Sequence, residues 1–121
     1  MNDPEAVLTE LRSHEHPSPK QIAAAAEAVV ATLDCDRGLV VCAIMGDLAS
    51  AEQIFYQRHP GWAFRIKKDH HYVASFQTKN QCFGDDCPTD YSWVIGLGGN
   101  GPAALLAAMV RVKLLQNEDI P

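Results

Sequence analysis

No apolar run in this chain approaches the roughly 18 to 20 residues needed to cross a bilayer, and there is no internal repeat, low-complexity tail or linker. Complete catalytic and metal-binding motifs are missing too. Basic residues are in short supply: 10 Lys and Arg stand against 15 Asp and Glu, a formal charge of −5 that argues against general nucleic-acid binding. The opening MNDPEAVLTELRSHE is acidic and has no apolar signal core, so a cytoplasmic protein is expected. Cysteines number 4. A chain of 121 residues can bury roughly two-thirds of its unfolded surface without disulfide staples.

What is present describes a globular domain: 47% hydrophobic and 21% charged residues. The densest apolar information lies between Tyr91 and Gln116. Tyr91, Trp93, Ile95 and Leu97 alternate with Ser92, Val94 and Gly96, which predicts a strand with the first set buried. Gly96, Gly98, Gly99 and Gly101 form a turn, and Pro102 suits the first turn of a helix. From Ala103 to Leu115 only Arg111 and Lys113 are charged. That helix has no broad polar face, so it must lie on a sheet with its other side against another helix or a second subunit, as in a homodimer through the C-terminal helix.

The same glycines spell G-x-G-x-x-G between a strand and a helix, the local setting of a dinucleotide-binding turn. Gly98, Gly99 and Gly101 are therefore candidate anion-binding residues. A Rossmann unit also needs a following parallel strand with an acidic residue for the ribose, which the remaining residues do not supply. Pro102 removes one donor, which favours a tight turn packed under a helix.

Earlier in the chain, Asp3 and Pro4 start a short helix running to about Ser13. Ser18 and Gln21 match a capping box with Pro19 at the first helical position, predicting a second helix to about Leu33. Its apolar stripe is Ile22, Ala26, Val29, Val30 and Leu33, and the run Ala23 to Ala26 suits close approach to a neighbouring backbone. Gly38 is expected to stop or turn the chain. Leu39 to Met45 is continuously apolar between glycines, a pattern read as a buried strand, although periodicity alone does not separate strand from helix. Ser50 and Gln53 suggest a helix from about Ala51 to Arg58, ended by His59, Pro60 and Gly61. Trp62, Phe64 and Ile66, then Tyr72, Ala74 and Phe76, alternate on two strands of a half-exposed hairpin. Thr78 to Asp90 follows as a polar loop.

Residues 1–36 carry seven acidic and two basic side chains, whereas 58–79 carry Arg58, Arg65, Lys67, Lys68 and Lys79 against Asp69 alone. Arg65, Lys67 and Lys79 are thus the candidate partner-binding residues, a basic patch suited to an acidic surface. Charged outward positions also serve simply to keep a half-exposed strand in solution. Asp69, His70 and His71 could supply a base near neutrality, but no nucleophile or oxyanion set stands beside them. Asp85, Asp86 and Asp90 lack the spacing of a calcium loop. Cys82 and Cys87 could bridge, hold half a zinc site or remain reduced, and no further zinc ligands stand at a recognised spacing. Cys35 and Cys42, in or beside apolar stretches, read as core thiols. No metal or cofactor is expected.

Gly61-Trp62-Ala63-Phe64-Arg65-Ile66, the return strand Tyr72 to Phe76, and Pro102-Ala103-Ala104-Leu105-Leu106-Ala107-Ala108 together resemble the small phage ABA-sandwich domain family over about the last 60 residues. The resemblance implies a phage or prophage origin and carries over no catalytic residues. The same order of elements also looks like a double-stranded-RNA-binding domain. That family places lysines where this chain has Pro102, Ala103 and Ala104, so direct nucleic-acid binding is not expected.

The expected fold is α+β: N-terminal helices, a small mostly antiparallel sheet and a buried C-terminal helix. Residues 1–121 form one domain, with a helical segment at 1–36 and a helix, three-stranded meander and helix at 48–117. The expected function is non-enzymatic binding, as a phage-encoded inhibitor or modulator that occludes a host protein or ribonucleoprotein complex, without membrane association. Alternatives are an anion- or nucleotide-binding enzyme or sensor using the glycine turn, and a structural homo-oligomer.

Overall fold

The computed structural model describes residues 4–12, 18–68, 72–77 and 95–119. Four helices come first: α1 (Pro4–Arg12), α2 (Pro19–Leu33), α3 (Arg37–Ile44) and α4 (Leu48–Arg58). The strands β1 (Ala63–Lys68), β2 (Tyr72–Gln77) and β3 (Ile95–Gly98) follow, and then α5 (Gly101–Asp119). The class is α+β, as the sequence predicts.

Local chemistry sets most of these boundaries. At the start of α2 the capping box is complete, with the Ser18 N–H donating to Gln21 Oε1 at 2.8 Å and the Gln21 N–H to Ser18 Oγ at 3.2 Å. The helix ends at Asp34, which takes the left-handed conformation (φ 53°) and donates its N–H to Val30 O at 2.8 Å. Gly38 is therefore not the stop; it lies inside the first turn of α3, and its N–H donates to the Asp36 cap at 2.9 Å.

The expectation of a buried strand over Leu39 to Met45 is wrong: the segment is helical through Ile44. Val40, Ala43 and Ile44 are buried, Leu39 and Val41 half-buried and Cys42 exposed, a period of 3.6 in which a run of apolar residues still has a wet side. The Asp36 cap decides what periodicity left open. Gly46, at φ 110°, turns the chain into α4. That helix starts one turn before the expected Ala51, because Asp47 rather than Ser50 precedes its first residue; Ser50 is buried and donates to Asp47 Oδ2 at 2.6 Å.

The sheet is antiparallel with order β1-β2-β3. Phe64 pairs with Phe76 and Ile66 with Ala74, and these residues face the core. Gly96 pairs with Ala74, and Gly98 with Tyr72. The backbone register thus sets Gly96 and Gly98 beside the core-packed Ala74 and Tyr72, while the side chains of Ile95 and Leu97 lie outside the described residues. Without a Cβ the two glycine positions let a helix approach closely. Tyr91 and Trp93 lie outside the described residues.

At the centre runs α5, which packs on all three strands and also meets α1, α2, α3 and α4. Residues 101–110 and Val112 are buried. The apolar surplus that suggested a second subunit is covered here by the chain's own helices, so a homodimer through α5 is not needed to bury it. Leu8, Leu11, Ala25, Ala26, Val29 and Leu33 close the core from the N-terminal side. No helix among the described residues is long and apolar enough to cross a membrane.

Candidate functional site

The helices pack on the face of the sheet that carries Phe64, Ile66, Ala74 and Phe76. On β1 the residues Ala63, Arg65 and Lys67 are exposed while Phe64 and Ile66 are half-buried. Arg65 lies opposite Ser75 and Lys67 opposite Val73, so no carboxylate faces either cation across the β1–β2 ladder. Lys68 ends the strand with its Nζ 5.2 Å from the Tyr72 ring centroid. Arg65 and Lys67 therefore share an uncovered cationic face, as the charge pattern predicts. Lys79, the third predicted member, lies outside the described residues.

Beside this strand stands an apolar lip. Tyr56 of α4 is 51% exposed, and its ring centroid lies 6.1 Å from that of Phe64. Phe55, fully buried, anchors the lip from within, with ring centroids of Tyr56, Phe64 and Phe76 each 5.1 Å away. Met45 and Leu48 are also exposed, where the α3–α4 turn enters the same helix.

The glycine turn is built for packing. Asn100 caps α5, its Oδ1 accepting from the Ala103 N–H at 2.8 Å and its carbonyl from the Ala104 N–H at 2.9 Å. Its Nδ2 donates to Ile44 O at 2.9 Å, which fastens the start of α5 to the end of α3. A Cβ on Gly101 would stand 3.3 Å from Ile66 Cγ2. The N–H groups of Ala103 and Ala104 are thus engaged, Pro102 has none to offer, and Gly101 to Ala104 are buried. This geometry supports a tight turn rather than an anion cradle of Gly98, Gly99 and Gly101.

Arg58 and His59 end α4. The Arg58 guanidinium donates through Nη1 to Leu33 O, placing a cation at the C-terminus of α2 where the helix dipole favours it. His59 is buried and stacks on Trp62, and among the described residues its Nε2 has no hydrogen-bond partner. Burial and the neighbouring Arg58 charge lower its pKa to about 4, so the ring is neutral near pH 7. In the sequence His59 reads only as part of a helix stop. The i, i+3 spacing of His59 and Trp62 across a Pro-Gly turn was the available signal.

Burial pushes the Cys35 thiol up, against the pull of Arg58. Cys42 is exposed rather than a core thiol, a consequence of the helical period of α3. A hollow of about 280 Å³ between α1 and α2 is lined by Val7, Glu10, Leu11, Lys20, Gln21 and Ala24. Among the described residues no three His, Cys, Asp or Glu gather as a metal site. Asp69, His70, His71, Cys82, Asp85, Asp86, Cys87 and Asp90 lie outside the described residues.

Comparison with protein-family models, curated proteins and solved structures finds no match to this chain. The resemblance to phage ABA-sandwich domains therefore rests on its own residues.

Proposed function

We propose that this protein is a small non-enzymatic binding protein that docks an acidic protein surface on the exposed face of β1 and acts by occlusion. The supporting observation is the exposed pair Arg65 and Lys67, which face no carboxylate across the ladder, on a strand whose other face is fixed in the core. A folded scaffold holds such charges at constant spacing, which steers encounter and fixes register more than it adds raw affinity. A negative total charge disfavours polyanions at long range, so a locally acidic protein is the better fit to a local cationic face. The resemblance makes a phage-encoded modulator of a host complex the most concrete form of this reading.

The test is capture of a partner by the tagged protein from bacterial lysate after nuclease treatment, beside a variant carrying Arg65→Glu and Lys67→Glu. The expected result is a stoichiometric protein retained by the parent and lost by the variant, with unchanged circular dichroism and melting. Capture that is equal for both chains, or that disappears with nuclease, overturns the reading.

A further inference from the structure

We infer that the free edge of β1 accepts an extended acidic segment of a partner protein as a fourth strand, an inference that rests on the docking reading above and specifies its geometry. In the order β1-β2-β3, β1 pairs only with β2. Among the described residues no backbone hydrogen bond reaches it from its outer side. Half of the N–H and C=O groups of Ala63–Lys68 therefore point away from the sheet and invite a further strand.

Edges of this kind are commonly blunted by proline, by a bulge or by a covering element. This strand contains no proline, and its register with β2 runs unbroken from Ala63↔Gln77 to Lys68↔Tyr72. Among the described residues its only guard is charge, and that guard is selective. A second copy added antiparallel with the faces continuous would set Arg65 or Lys67 against a cation of its mate, and like charges directly opposite are destabilising. An acidic strand meets attraction at the same positions. The edge thus excludes self-pairing and admits a carboxylate-bearing segment.

The pleat specifies the incoming sequence further. Six residues of β1 correspond to about 20 Å of strand. Side chains on the solvent face of the added strand lie beside Arg65 and Lys67 and should be Asp or Glu. Those on the other face lie beside Phe64 and Ile66, with the exposed Tyr56 ring as a wall, and should be apolar. The favoured occupant alternates acidic and apolar residues over about five or six positions.

The probe is a capped synthetic peptide, Glu-Val-Glu-Val-Glu-Val, added to the full isotope-labelled chain. Amide exchange is followed by NMR, and affinity by titration. The expected result is slowed exchange at alternate β1 amides only, with affinity falling about tenfold or more when Arg65→Glu and Lys67→Glu are both present. Peptides N-methylated at one alternate set of residues should lose binding while the other set retains it, a readout on the unaltered protein that needs no variant to fold. Binding without new alternate-amide protection, or with both N-methylated sets equally active, overturns strand addition and leaves docking on the face intact. Absence of peptide binding beside intact charge-dependent capture from lysate does the same. Peptide binding indifferent to both charge reversals overturns the docking reading as well.

Discussion

The His59 imidazole lies flat on the Trp62 indole, with ring centroids 4.2 Å apart and an interplanar angle of 21°. The Trp62 N–H donates to the His59 carbonyl at 3.0 Å, so backbone and rings bind the same two residues across Pro60 and Gly61. Phe55 and Phe76 complete the enclosure, at 5.6 and 5.8 Å from the imidazole centroid. Arg58, of the same sign as a protonated histidine, adds to the cost of protonation. Among the described residues no hydrogen-bond partner at Nε2 offsets it.

Acid should therefore loosen the fold through His59. Its pKa is about 4 when folded and near 6.5 when unfolded. Between those values the unfolded chain binds the extra proton, so stability is complete above about pH 6.5 and falls as pH drops towards 4. The loss attributable to this one residue is on the order of 2–3 kcal/mol. His59→Phe should flatten the urea-midpoint profile between pH 6.5 and 4 relative to the parent. Parallel profiles would show that the imidazole is not the responsible group.

Asn100 joins two helices with one side chain. Asn100→Ala removes the α5 cap and leaves the Ile44 carbonyl without its donor, at a cost of about 2 kcal/mol. Asn100→Asp keeps the capping oxygen but loses the donor and should be intermediate. Urea denaturation of the three chains gives the ordering.

Gly101 and Ile66 are coupled by contact. Gly101→Val should destabilise by about 1–3 kcal/mol through overpacking, and adding Ile66→Ala should return part of that loss. Purely additive effects in the double-mutant cycle would separate the two sites.

Phe55 holds the aromatic cluster together from a fully buried position. Phe55→Ala should cost about 3–5 kcal/mol and release the Tyr56 and Phe64 lip from its support. Thermal melting checks the first effect. Near-ultraviolet circular dichroism checks the second.

Thiol reactivity distinguishes the helical α3 from the strand first expected there. Cys42 is exposed and Cys35 half-buried with a raised pKa. Mass mapping after brief alkylation of the native protein near pH 7.5 should find Cys42 modified well before Cys35. The reverse order would contradict the exposure of Cys42.

Where local chemistry was self-sufficient, the sequence was legible. Ser18, Pro19 and Gln21 set α2 with no help from the rest of the fold, and the alternation from Trp62 to Phe76 set the hairpin and the outward direction of Arg65 and Lys67. Leu39 to Met45 misleads because an unbroken apolar run has no period; only the Asp36 cap marks a helix start. His59 passed as a turn residue because its burial depends on Phe55 and Phe76, which come from two other elements. The cationic face was legible as composition, whereas the free edge beside it needed the strand order.

The position of α5 also governs the order in which this molecule can form. Residues 4–58 supply four helices that pack on one another, and each of them also meets α5, whose residues 101–110 and 112 are buried. At roughly 5–20 residues per second of synthesis, the early helices wait several seconds for their common partner. Short isolated helices are marginal in water, so during that interval the nascent N-terminal half exposes the stripe of Leu8, Leu11, Val29 and Leu33. The N-terminal core is therefore expected to close fully only once α5 is available.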